Sequence, residues 1–425
     1  MRKLKVHSSG RYLMWDDESP FFYLGDTAWE LFHRLTKEEA DKYLSVRAAQ
    51  GFNAIQAVAL AELEGLTVPN KYGRFPFKFT NDTPDPLLPD TDGEYSYWDH
   101  VEYIIRTAEK KDLFITLLPT WGDKFNITWG KGPEIFTPEN AYIYGKWIAE
   151  KFKKHWNIIW MLGGDRYLST HRHQLIIDEM ARGISEADSD HLITFHPGGG
   201  ISSADELKGK DYIDFHTVQS GHDFNGYESY LFLQKMRETE QKPYMDSEPR
   251  YEDHPACFKA QYDCYWSAQD VRNNAYWNMC EGSCGHTYGN HCVWGFTEKT
   301  EKYYPYTWKE VLYHDGAEQI GFLKELRMKR SFFDFRPAPC LVEDETALGG
   351  HIAAGRGDDY AYIYTPLGQA FRANLDLFGG NIIRSSWFNP RNGEETVFKL
   401  FPPKQVLFVP PTYCEDWVLV LEILE

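Results

Sequence analysis

Two acidic residues stand where short apolar segments end, and their side chains are suited to acid–base chemistry. Asp165 follows the apolar run 158–163 and a further glycine, and Glu248 ends a second run that begins at Tyr244. A carboxylic acid can protonate a leaving oxygen, while a carboxylate opposite it can attack a carbon or activate a water. Cleavage of a glycosidic bond requires this pair of roles. We therefore predict that Asp165 and Glu248 are catalytic carboxylates.

Arginines follow both acids, Arg166 directly and Arg250 two residues after the glutamate. Either guanidinium could shift a carboxyl pKa or donate hydrogen bonds to a sugar hydroxyl. Asp246 precedes Glu248 by two residues, so on a strand it would share a face with Glu248 and could support it or replace it as nucleophile. A single strand-end acid often caps a helix or pairs with an arginine instead. The joint placement of two acids favours catalysis.

Strands must hold these two acids in place, and the chain alternates strand-like with helix-like segments. Eight such units are typical of a parallel α/β fold and favour closure into a (β/α)8 TIM barrel. The predicted strands are residues 21–27, 53–60, 114–120, 158–163, 192–196, 215–219, 244–248 and 286–294. The predicted helices are residues 37–50, 98–111, 138–155, 171–187, 227–239 and 268–280, with a short turn at 204–208.

The connections between these segments are unequal in length. Helix-to-strand turns such as residues 51–52 are short, whereas three strand-to-helix loops, 61–97, 121–137 and 295–307, are long. All strand-to-helix loops of a barrel lie at one end, where barrel enzymes build their active sites. The long loops therefore predict a closed pocket at that end, which favours an exo-acting enzyme over one that cuts within a chain.

Polar and aromatic residues recur at the ends of the predicted strands. Any one of them is more often a core or rim residue than a ligand-binding one. Their recurrence at one end of seven or eight strands is what a convergent pocket requires. The expected substrate-binding residues are Asp26, Trp29, Gln56, Trp121, Arg166, His196, His216, Gln219, Arg250, His286, Tyr288 and Trp294.

From about Arg336 the apolar pattern changes to a period of two, which is typical of antiparallel strands. We predict a catalytic barrel domain at residues 1–336 and a small antiparallel β-sandwich domain at residues 337–425. The predicted strands of the second domain include residues 361–365, 384–389 and 417–423, with turns at Gly379-Gly380 and Asn392-Gly393.

The composition restricts the class of partner. The formal net charge of −18 opposes binding to nucleic acid, which depends on clustered lysine and arginine. The chain lacks an apolar run of about 18 residues, so we expect no membrane span. Aromatic residues make up 16% of the chain, and exposed aromatic rings can stack on sugar rings. The expected partner is an oligosaccharide or polysaccharide, and the oligomeric state stays open.

The first fifteen residues are basic at their start but lack the apolar core of a secretion signal. If a signal has been removed, the expected location is the periplasm or the cell exterior. Otherwise the expected location is the cytoplasm.

The chain has seven cysteines, five of which fall between Cys257 and Cys292. Cys280 and Cys284 are followed by His286 and His291, but this spacing is not a standard zinc pattern. We therefore expect no metal and no other cofactor, and interpret these cysteines as structural thiols. A metal-dependent hydrolase that uses these histidines and cysteines is the least favoured alternative, since a helical His-Glu-x-x-His motif is absent.

Five short segments resemble the apiosidase-like branch of the retaining glycoside hydrolases. Three lie at predicted strand ends: Gly-Asp-Thr-Ala-Trp at 25–29, Trp-Met-Leu-Gly-Gly-Asp at 160–165 and Asp-Ser-Glu-Pro at 246–249. The fourth is Gly-His-Thr-Tyr-Gly at 285–289. The fifth, Ser-Trp-Phe-Asn-Pro-Arg-Asn-Gly at 386–393, is similar to a C-terminal domain named for collagen binding. The resemblance covers nearly the whole chain.

The resemblance implies a barrel with the general acid/base on strand four and the nucleophile on strand seven. Residue by residue, it implies Asp165 as acid/base and Glu248 as nucleophile, with Asp26, Trp29 and His286 near the sugar. The usual strand-four signature of this clan is Asn-Glu, whereas this chain has Gly-Asp. An aspartate reaches one methylene less far. Retention, with carboxyl groups about 5–5.5 Å apart, therefore competes with inversion, at about 6.5–9.5 Å.

The leading functional hypothesis is an exo-acting, retaining glycoside hydrolase of plant cell-wall or other complex glycans, apiosidase-like in its substrate. The alternative is a barrel of the same origin that binds glycans without cleaving them. The first hypothesis predicts turnover, and the second predicts saccharide binding alone.

Overall fold

A computed structural model of the chain describes residues 2–223, 228–344, 346–379, 382–402 and 404–424. Tyr227, the predicted start of a helix, and Gly380, in a predicted turn, lie outside these ranges. The described chain has two parts, a β/α barrel and a smaller antiparallel β domain.

Eight parallel strands form the central sheet. They are β1 (Tyr23–Thr27), β2 (Ala54–Val58), β3 (Phe114–Leu118), β4 (Ile158–Gly163), β5 (Ile193–His196), β6 (His216–Val218), β7 (Tyr244–Asp246) and β8 (Gly285–Tyr288). Their hydrogen-bonded order is β5-β4-β3-β2-β1-β8-β7-β6. The two outer strands meet because the Asp214 amide donates to the Ile193 carbonyl at 2.9 Å. The Thr194 hydroxyl also donates to the Phe215 carbonyl at 2.6 Å, and the predicted barrel is confirmed.

The predicted helices are present between the strands, and capping residues set where several of them begin. Thr36, Ser96, Thr137 and Ser267 each form a capping box that satisfies backbone donors of the first turn. The helices are α1 (Leu31–Arg34), α2 (Lys37–Ala49), α3 (Tyr97–Glu109), α4 (Pro138–Phe152), α5 (His171–Ala187), α6 (Ser203–Leu207), α7 (Ser229–Thr239), α8 (Ala268–Cys280), α9 (Asp315–Gln319) and α10 (Gly321–Met328). Within the described ranges, every helix is too short or too polar to cross a membrane.

The eighth strand is shorter than predicted. It ends at Tyr288, because the chain then enters consecutive turns in which the Val293 amide donates to the Asn290 carbonyl at 3.0 Å. The Phe296 amide donates to the Val293 carbonyl at the same distance. Trp294 therefore lies in the loop after β8 and not in the strand.

Side chains along each barrel strand alternate between the barrel interior and the helix layer. In β1, the Tyr23 hydroxyl hydrogen-bonds the Thr116 hydroxyl of β3 at 2.8 Å inside the barrel. Asp26, on the other face of β1, accepts a hydrogen bond from Arg47 of α2 at 2.6 Å. This alternation decides which strand residues can reach a pocket at the end of the barrel.

Two small sheets lie at the barrel ends. The strands Leu4–Val6, Leu13–Trp15 and Pro20–Phe21 pair before β1, and the Trp15 ring packs 5.5 Å from that of Phe114, the first residue of β3. This sheet therefore covers the amino-terminal end of the barrel. A hairpin, Phe77–Thr80 with Thr83–Pro89, belongs to the long loop after β2.

The second part of the chain is the predicted β-sandwich. Its strands are β9 (Arg336–Pro337), β10 (Ala353–Arg356), β11 (Tyr360–Thr365), β12 (Phe371–Asn374), β13 (Ile382–Phe388), β14 (Glu395–Phe401), β15 (Gln405–Phe408) and β16 (Trp417–Leu424). Six of them form an antiparallel sheet in the order β9-β10-β11-β16-β13-β14, and β12 pairs with β15. Buried Ile363, Phe371, Trp387, Phe408 and Leu419 join the two layers in one apolar core.

Helix α8 joins the barrel to the β-sandwich through a buried ion pair. The Arg272 guanidinium donates to both Asp416 carboxylate oxygens, at 2.9 and 2.7 Å, and both side chains are almost fully buried. Arg391 donates to the same carboxylate at 3.1 Å. The Tyr364 hydroxyl donates to the Asn273 side chain of α8 at 2.6 Å. These bonds hold the β-sandwich sheet against the barrel helix.

We predict that Arg272→Ala lowers the free energy of unfolding by about 3 kcal/mol, because it leaves the buried Asp416 carboxylate without the cation that contacts both its oxygens, and only Arg391 and the Tyr364 hydroxyl still contact its side chain among the described residues. Denaturant titration followed by tryptophan fluorescence measures this change. Arg182→Ala, which removes two exposed ion pairs on α5, is the matched control and should leave the midpoint unchanged. Equal midpoints for the two variants would show that the buried pair contributes little.

Candidate active site

The strand-to-helix loops enclose a pocket of about 510 Å³ at the carboxyl ends of the barrel strands. Both predicted carboxylates line it. Four further residues expected to bind substrate also line it, namely Trp29, Trp121, Gln219 and Trp294. The pocket therefore gathers residues from the ends of different strands, as the sequence predicted for this end of the barrel.

Asp165 lies in a left-handed turn directly after β4. Gly163, Gly164 and Asp165 have φ values of 90°, 114° and 53°. A Cβ on Gly163 would lie 2.3 Å from the His196 carbonyl oxygen, so glycine is required there. Left-handed backbone is uncommon for a residue that carries a Cβ, and such strain often marks a functional position. The turn brings the Asp165 side chain into the pocket wall.

Two neighbours orient the Asp165 carboxyl group. The Trp129 indole N–H donates to Asp165 Oδ2 at 3.2 Å, and Arg166 Nη1 lies 3.3 Å from the same oxygen. The buried Arg166 guanidinium also stacks 4.0 Å from the Trp129 ring and donates to the Trp129 carbonyl. Burial, followed by the negative charge of Glu248, raises the pKa of Asp165 to about 6. Asp165 therefore holds its proton in weakly acidic solution.

Glu248 lies between two histidines. His196 Nε2 is 2.8 Å from Glu248 Oε2, and His222 Nε2 is 3.3 Å from Oε1. Burial by itself raises the pKa of Glu248, but the contacts with His196 and His222 outweigh it and lower the pKa to about 2. In turn, burial lowers the pKa of His196, but the Glu248 carboxylate outweighs it and raises the pKa above its ordinary value. Glu248 is therefore an anion over a wide pH range.

The two pocket carboxyls thus have pKa values moved in opposite directions. Each affects the other, since the Glu248 charge is among the causes that raise the Asp165 pKa. A pair of neighbouring carboxyls separated in this way can supply one acid and one anion at the same pH. The arrangement fits proton donation by Asp165 and nucleophilic or base chemistry by Glu248.

Asp246, the other carboxylate of the seventh strand, does not line the pocket. Its Oδ2 accepts a hydrogen bond from the Ser220 hydroxyl at 2.5 Å, and its Oδ1 accepts one from the Glu248 amide at 3.2 Å. Asp246 therefore fixes the backbone on which Glu248 stands. This position fits support for Glu248 better than the role of nucleophile.

Aromatic rings form much of the pocket wall. The Trp29 and Trp121 rings lie 5.0 Å apart, and the Trp29 ring packs 5.2 Å from the His196 ring. On the Glu248 side, three histidine rings follow one another: His222 to His254 at 4.3 Å and His254 to His291 at 4.4 Å. Burial lowers the pKa of His291 to about 3 and that of His254 well below its ordinary value. These two rings are therefore uncharged.

Four residues expected to bind substrate face away from the pocket, which corrects the sequence interpretation. Asp26 accepts hydrogen bonds from Tyr43 and Arg47 of α2, at 2.5 and 2.6 Å. The Tyr288 hydroxyl donates to Glu252 at 2.6 Å. Both side chains lie on strand faces that meet the helix layer.

The remaining two corrections concern histidines. His286, on the same face of β8 as Tyr288, lies 3.2 Å from the Asn278 side chain of α8. His216 begins β6 instead of ending it, and it hydrogen-bonds Ser203 at 2.8 Å and Glu240 at 3.0 Å. These four side chains hold strands to helices, so the pocket cannot use them directly.

Four other expected residues stand behind the pocket wall. Gln56 donates across the barrel interior to the Ser247 carbonyl at 2.9 Å. Arg250 stacks 4.4 Å from the Trp266 ring and donates to the Asp223 carbonyl at 3.3 Å. Arg166 and His196 contact the two carboxylates as described above. These residues can position the groups that line the pocket.

Sequence reasoning missed most of the lining that comes from the long loops. Such residues lie outside the strand pattern, and the dense aromatic and histidine content of residues 251–258 and 291–304 was the available signal. The lining residues that were not predicted to bind substrate include Glu62, Trp129, Tyr167, Asp223, Tyr251, His254, Phe258, His291, Tyr303 and Tyr304.

All seven cysteines are free thiols, and burial raises the pKa of Cys280, Cys284 and Cys292. Cys280 and Cys284 lie in the apolar core around α8 and β8. Among the described residues, no group of three or more His, Cys, Asp or Glu side chains has a geometry that could hold a metal ion.

Comparison with known proteins agrees with this architecture. The family described as "Apiosidase-like, catalytic domain" matches residues 7–334, and the "Putative collagen-binding domain of a collagenase" matches residues 337–422. A solved glycoside hydrolase family 5 protein from Bacteroides vulgatus ATCC 8482 is similar with a TM-score of 0.90 and 29% identity, over 99% of this chain and 93% of that chain. A second solved structure, named glycoside hydrolase, has a TM-score of 0.89 and 30% identity, over 99% of this chain and 96% of that chain.

A search of curated protein sequences finds no match to this chain. The family match nevertheless spans the entire barrel, including both pocket carboxyls, and the adjoining match spans the β-sandwich. The chain therefore belongs to the apiosidase-like family of glycoside hydrolases.

Proposed function

We propose that this protein hydrolyses glycosidic bonds with retention of anomeric configuration, with Glu248 as nucleophile and Asp165 as general acid/base. The observation that carries the proposal is the pair of pocket carboxyls with oppositely shifted pKa values, about 6 for Asp165 and about 2 for Glu248. A barrel that only binds glycans has no need of two carboxyls in opposite protonation states. The pair therefore favours catalysis over the binding-only alternative.

The proposed reaction has two steps. In the first, a Glu248 oxygen forms a bond to the anomeric carbon while the bond to the leaving oxygen breaks, and Asp165 gives its proton to that oxygen. In the second, Asp165 takes a proton from a water molecule, whose oxygen attacks the anomeric carbon and releases Glu248 as a carboxylate. Each step inverts the anomeric carbon, so the product retains the configuration of the substrate.

Neighbouring residues support each role in this scheme. His196 and His222 hold Glu248 as an anion and orient its two oxygens. Trp129 and Arg166 hold Oδ2 of Asp165. Because the left-handed turn of residues 163–165 brings the backbone of Asp165 to the pocket wall, the shorter side chain of aspartate still lines the cavity.

The shape of the site supports exo-action. The cavity is a pocket bordered by long loops, which suits the terminal sugar of a plant cell-wall or other complex glycan better than the middle of a chain. We also propose that the chain divides into a catalytic domain at residues 1–336 and a β-sandwich domain at 337–425. The change from parallel to antiparallel pairing at β9 supports this boundary.

The charges of the pocket favour an uncharged sugar. Four carboxyl-bearing residues, Glu62, Asp165, Asp223 and Glu248, belong to the described lining, which contains neither lysine nor arginine. A uronic acid or sulfated sugar would bring another negative charge without a cationic partner, and an unpaired buried charge is costly. The proposed substrate is therefore a glycan that ends in a neutral sugar, as apiose is.

We predict that Glu248→Gln lowers kcat by at least about 1,000-fold, because an amide cannot act as the nucleophile. The glutamine side chain has nearly the same shape as glutamate, so the fold should be preserved. The assay is release of sugar from a panel of 4-nitrophenyl glycosides and pectic oligosaccharides, with product anomers followed by NMR. Glu94→Gln, an exposed change outside the pocket, is the control. Wild-type turnover that survives Glu248→Gln would remove Glu248 from the mechanism.

A second prediction concerns the pH dependence. Asp165 must be protonated and Glu248 ionised, so kcat/KM is present between the two pKa values and falls above about pH 6 and towards pH 2. Asp165→Asn should remove the alkaline fall. It should also lower kcat/KM about 100-fold or more for substrates with sugar leaving groups, and much less for 4-nitrophenyl glycosides, since kcat/KM reports the first step and only the sugar leaving groups need the proton there. Equal losses on both substrates would argue against an acid role.

The charge argument predicts that 4-nitrophenyl uronides are poor substrates. We expect kcat/KM at least about 100-fold lower for a uronide than for the matching neutral glycoside, since a buried unpaired charge costs a few kcal/mol. Paired glucoside and glucuronide, and galactoside and galacturonide, provide the comparison beside the 4-nitrophenyl apioside. Faster cleavage of any uronide than of its neutral partner would overturn the charge argument.

A further inference from the structure

A second cavity, of about 730 Å³, adjoins the pocket that holds the two carboxylates. It is lined by the loops that follow β1, β2 and β8. Trp294 and Tyr304 line both cavities, so the two cavities share an aromatic wall. The reaction proposed above uses the first pocket only, and it leaves the second cavity without a role.

Glu62 stands where the two cavities meet. It lines the first pocket, while the next residues of the chain, Leu63 and Glu64, line the second. Its backbone is held from both sides: the Glu62 carbonyl accepts a hydrogen bond from Lys124 at 3.4 Å, and the Leu63 amide donates to the buried Glu30 carboxylate at 2.9 Å. This junction is therefore a fixed part of the wall.

The carboxyl group of Glu62 has no hydrogen-bond partner among the described residues, although it is partly buried. Burial, and then the negative charges of Asp165 and Glu30, raise its pKa to about 8, with Arg166 as the opposing positive charge. At neutral pH the group is thus an uncharged acid, with one donor and one acceptor oxygen. A sugar hydroxyl has the complementary donor and acceptor.

We propose that Glu62 binds a hydroxyl group of the sugar on the leaving-group side of the scissile bond, and that the second cavity holds the rest of that glycan. Two positions support this assignment. Asp165, the proposed donor to the leaving oxygen, lines the first pocket together with Glu62, and the residues that follow Glu62 in the chain line the second cavity. The inference rests on the proposed glycosidase function and adds a specificity residue to it.

The cavity beyond Glu62 can accept hydroxyl-rich chains. Its lining mixes cations with carboxylates, and Lys71 is already paired with Glu298 at 3.0 Å. The Arg34 guanidinium is likewise engaged, donating to the Gly295 carbonyl at 2.9 Å. A lining that carries both signs of charge, with Lys71 paired and Arg34 engaged, suits an uncharged oligosaccharide more than a polyanion.

Two probes separate the leaving-group side from the rest of the site: the 4-nitrophenyl apioside, whose leaving group carries no sugar hydroxyl, and an apiose-terminated pectic oligosaccharide. We expect Glu62→Ala to lower kcat/KM about tenfold for the oligosaccharide, mainly through KM, and less than about threefold for the aryl apioside. Glu62→Gln, which keeps one donor and one acceptor, should restore most of the loss. Glu94→Gln is the surface control.

Calorimetric binding of the oligosaccharide to the Glu248→Gln protein gives a second readout. Its affinity should weaken between pH 7 and pH 9, as Glu62 loses its proton, and should stay constant over that range when Glu62→Gln is added. Equal losses of kcat/KM on both probes, or a Glu62→Gln variant as impaired as Glu62→Ala, would overturn this inference and leave the proposed function standing. A wild-type protein that cleaves neither probe nor any other glycoside of the panel would instead refute the proposed function, and the inference with it.

Discussion

The site depends on one electrostatic constraint, the Glu248 carboxylate held between two imidazoles. His196 and His222 lower its pKa to about 2 despite its burial. The resulting permanent negative charge helps keep the proton on Asp165, whose pKa is raised to about 6. In the proposed mechanism, this single buried anion therefore supplies the nucleophile and also prepares the acid opposite it. Replacing either histidine would disturb both groups.

The barrel strands hold these few groups at fixed positions. Asp165 follows β4, His196 ends β5 and Glu248 follows β7, so each is anchored by a parallel strand. The strained turn at Gly163 and the Asp246 bond to the Glu248 amide set the local backbone. The β-sandwich contacts the barrel from outside through α8, because Asp416 binds Arg272 of α8 and α8 packs against β8.

The eight barrel strands, most of the helices between them and the strand-end positions of both carboxyls could be predicted from apolar runs, because buried strands and their polar ends leave a strong pattern, whereas the short helices α1, α9 and α10 were not predicted. The direction of each side chain could not be predicted. Asp26 and Tyr288 stand at strand ends as expected, but their side chains point toward α2 and Glu252. A strand that is buried on both faces is apolar throughout, so its sequence does not show which residues face the barrel interior and which face the helices. Loop residues such as Trp129 and Glu62 depend on tertiary folding alone, so no periodicity marks them.

The central claim is that Glu248 forms a covalent bond to the sugar. Incubation with a 2-deoxy-2-fluoro glycoside that carries a good leaving group slows the second step and lets the intermediate accumulate. Peptide mass spectrometry of the inactivated protein should then find one glycosyl group on the peptide that contains Glu248, attached to that residue. Attachment to Asp165 or Asp246, or turnover with inverted product and no adduct, would contradict the account.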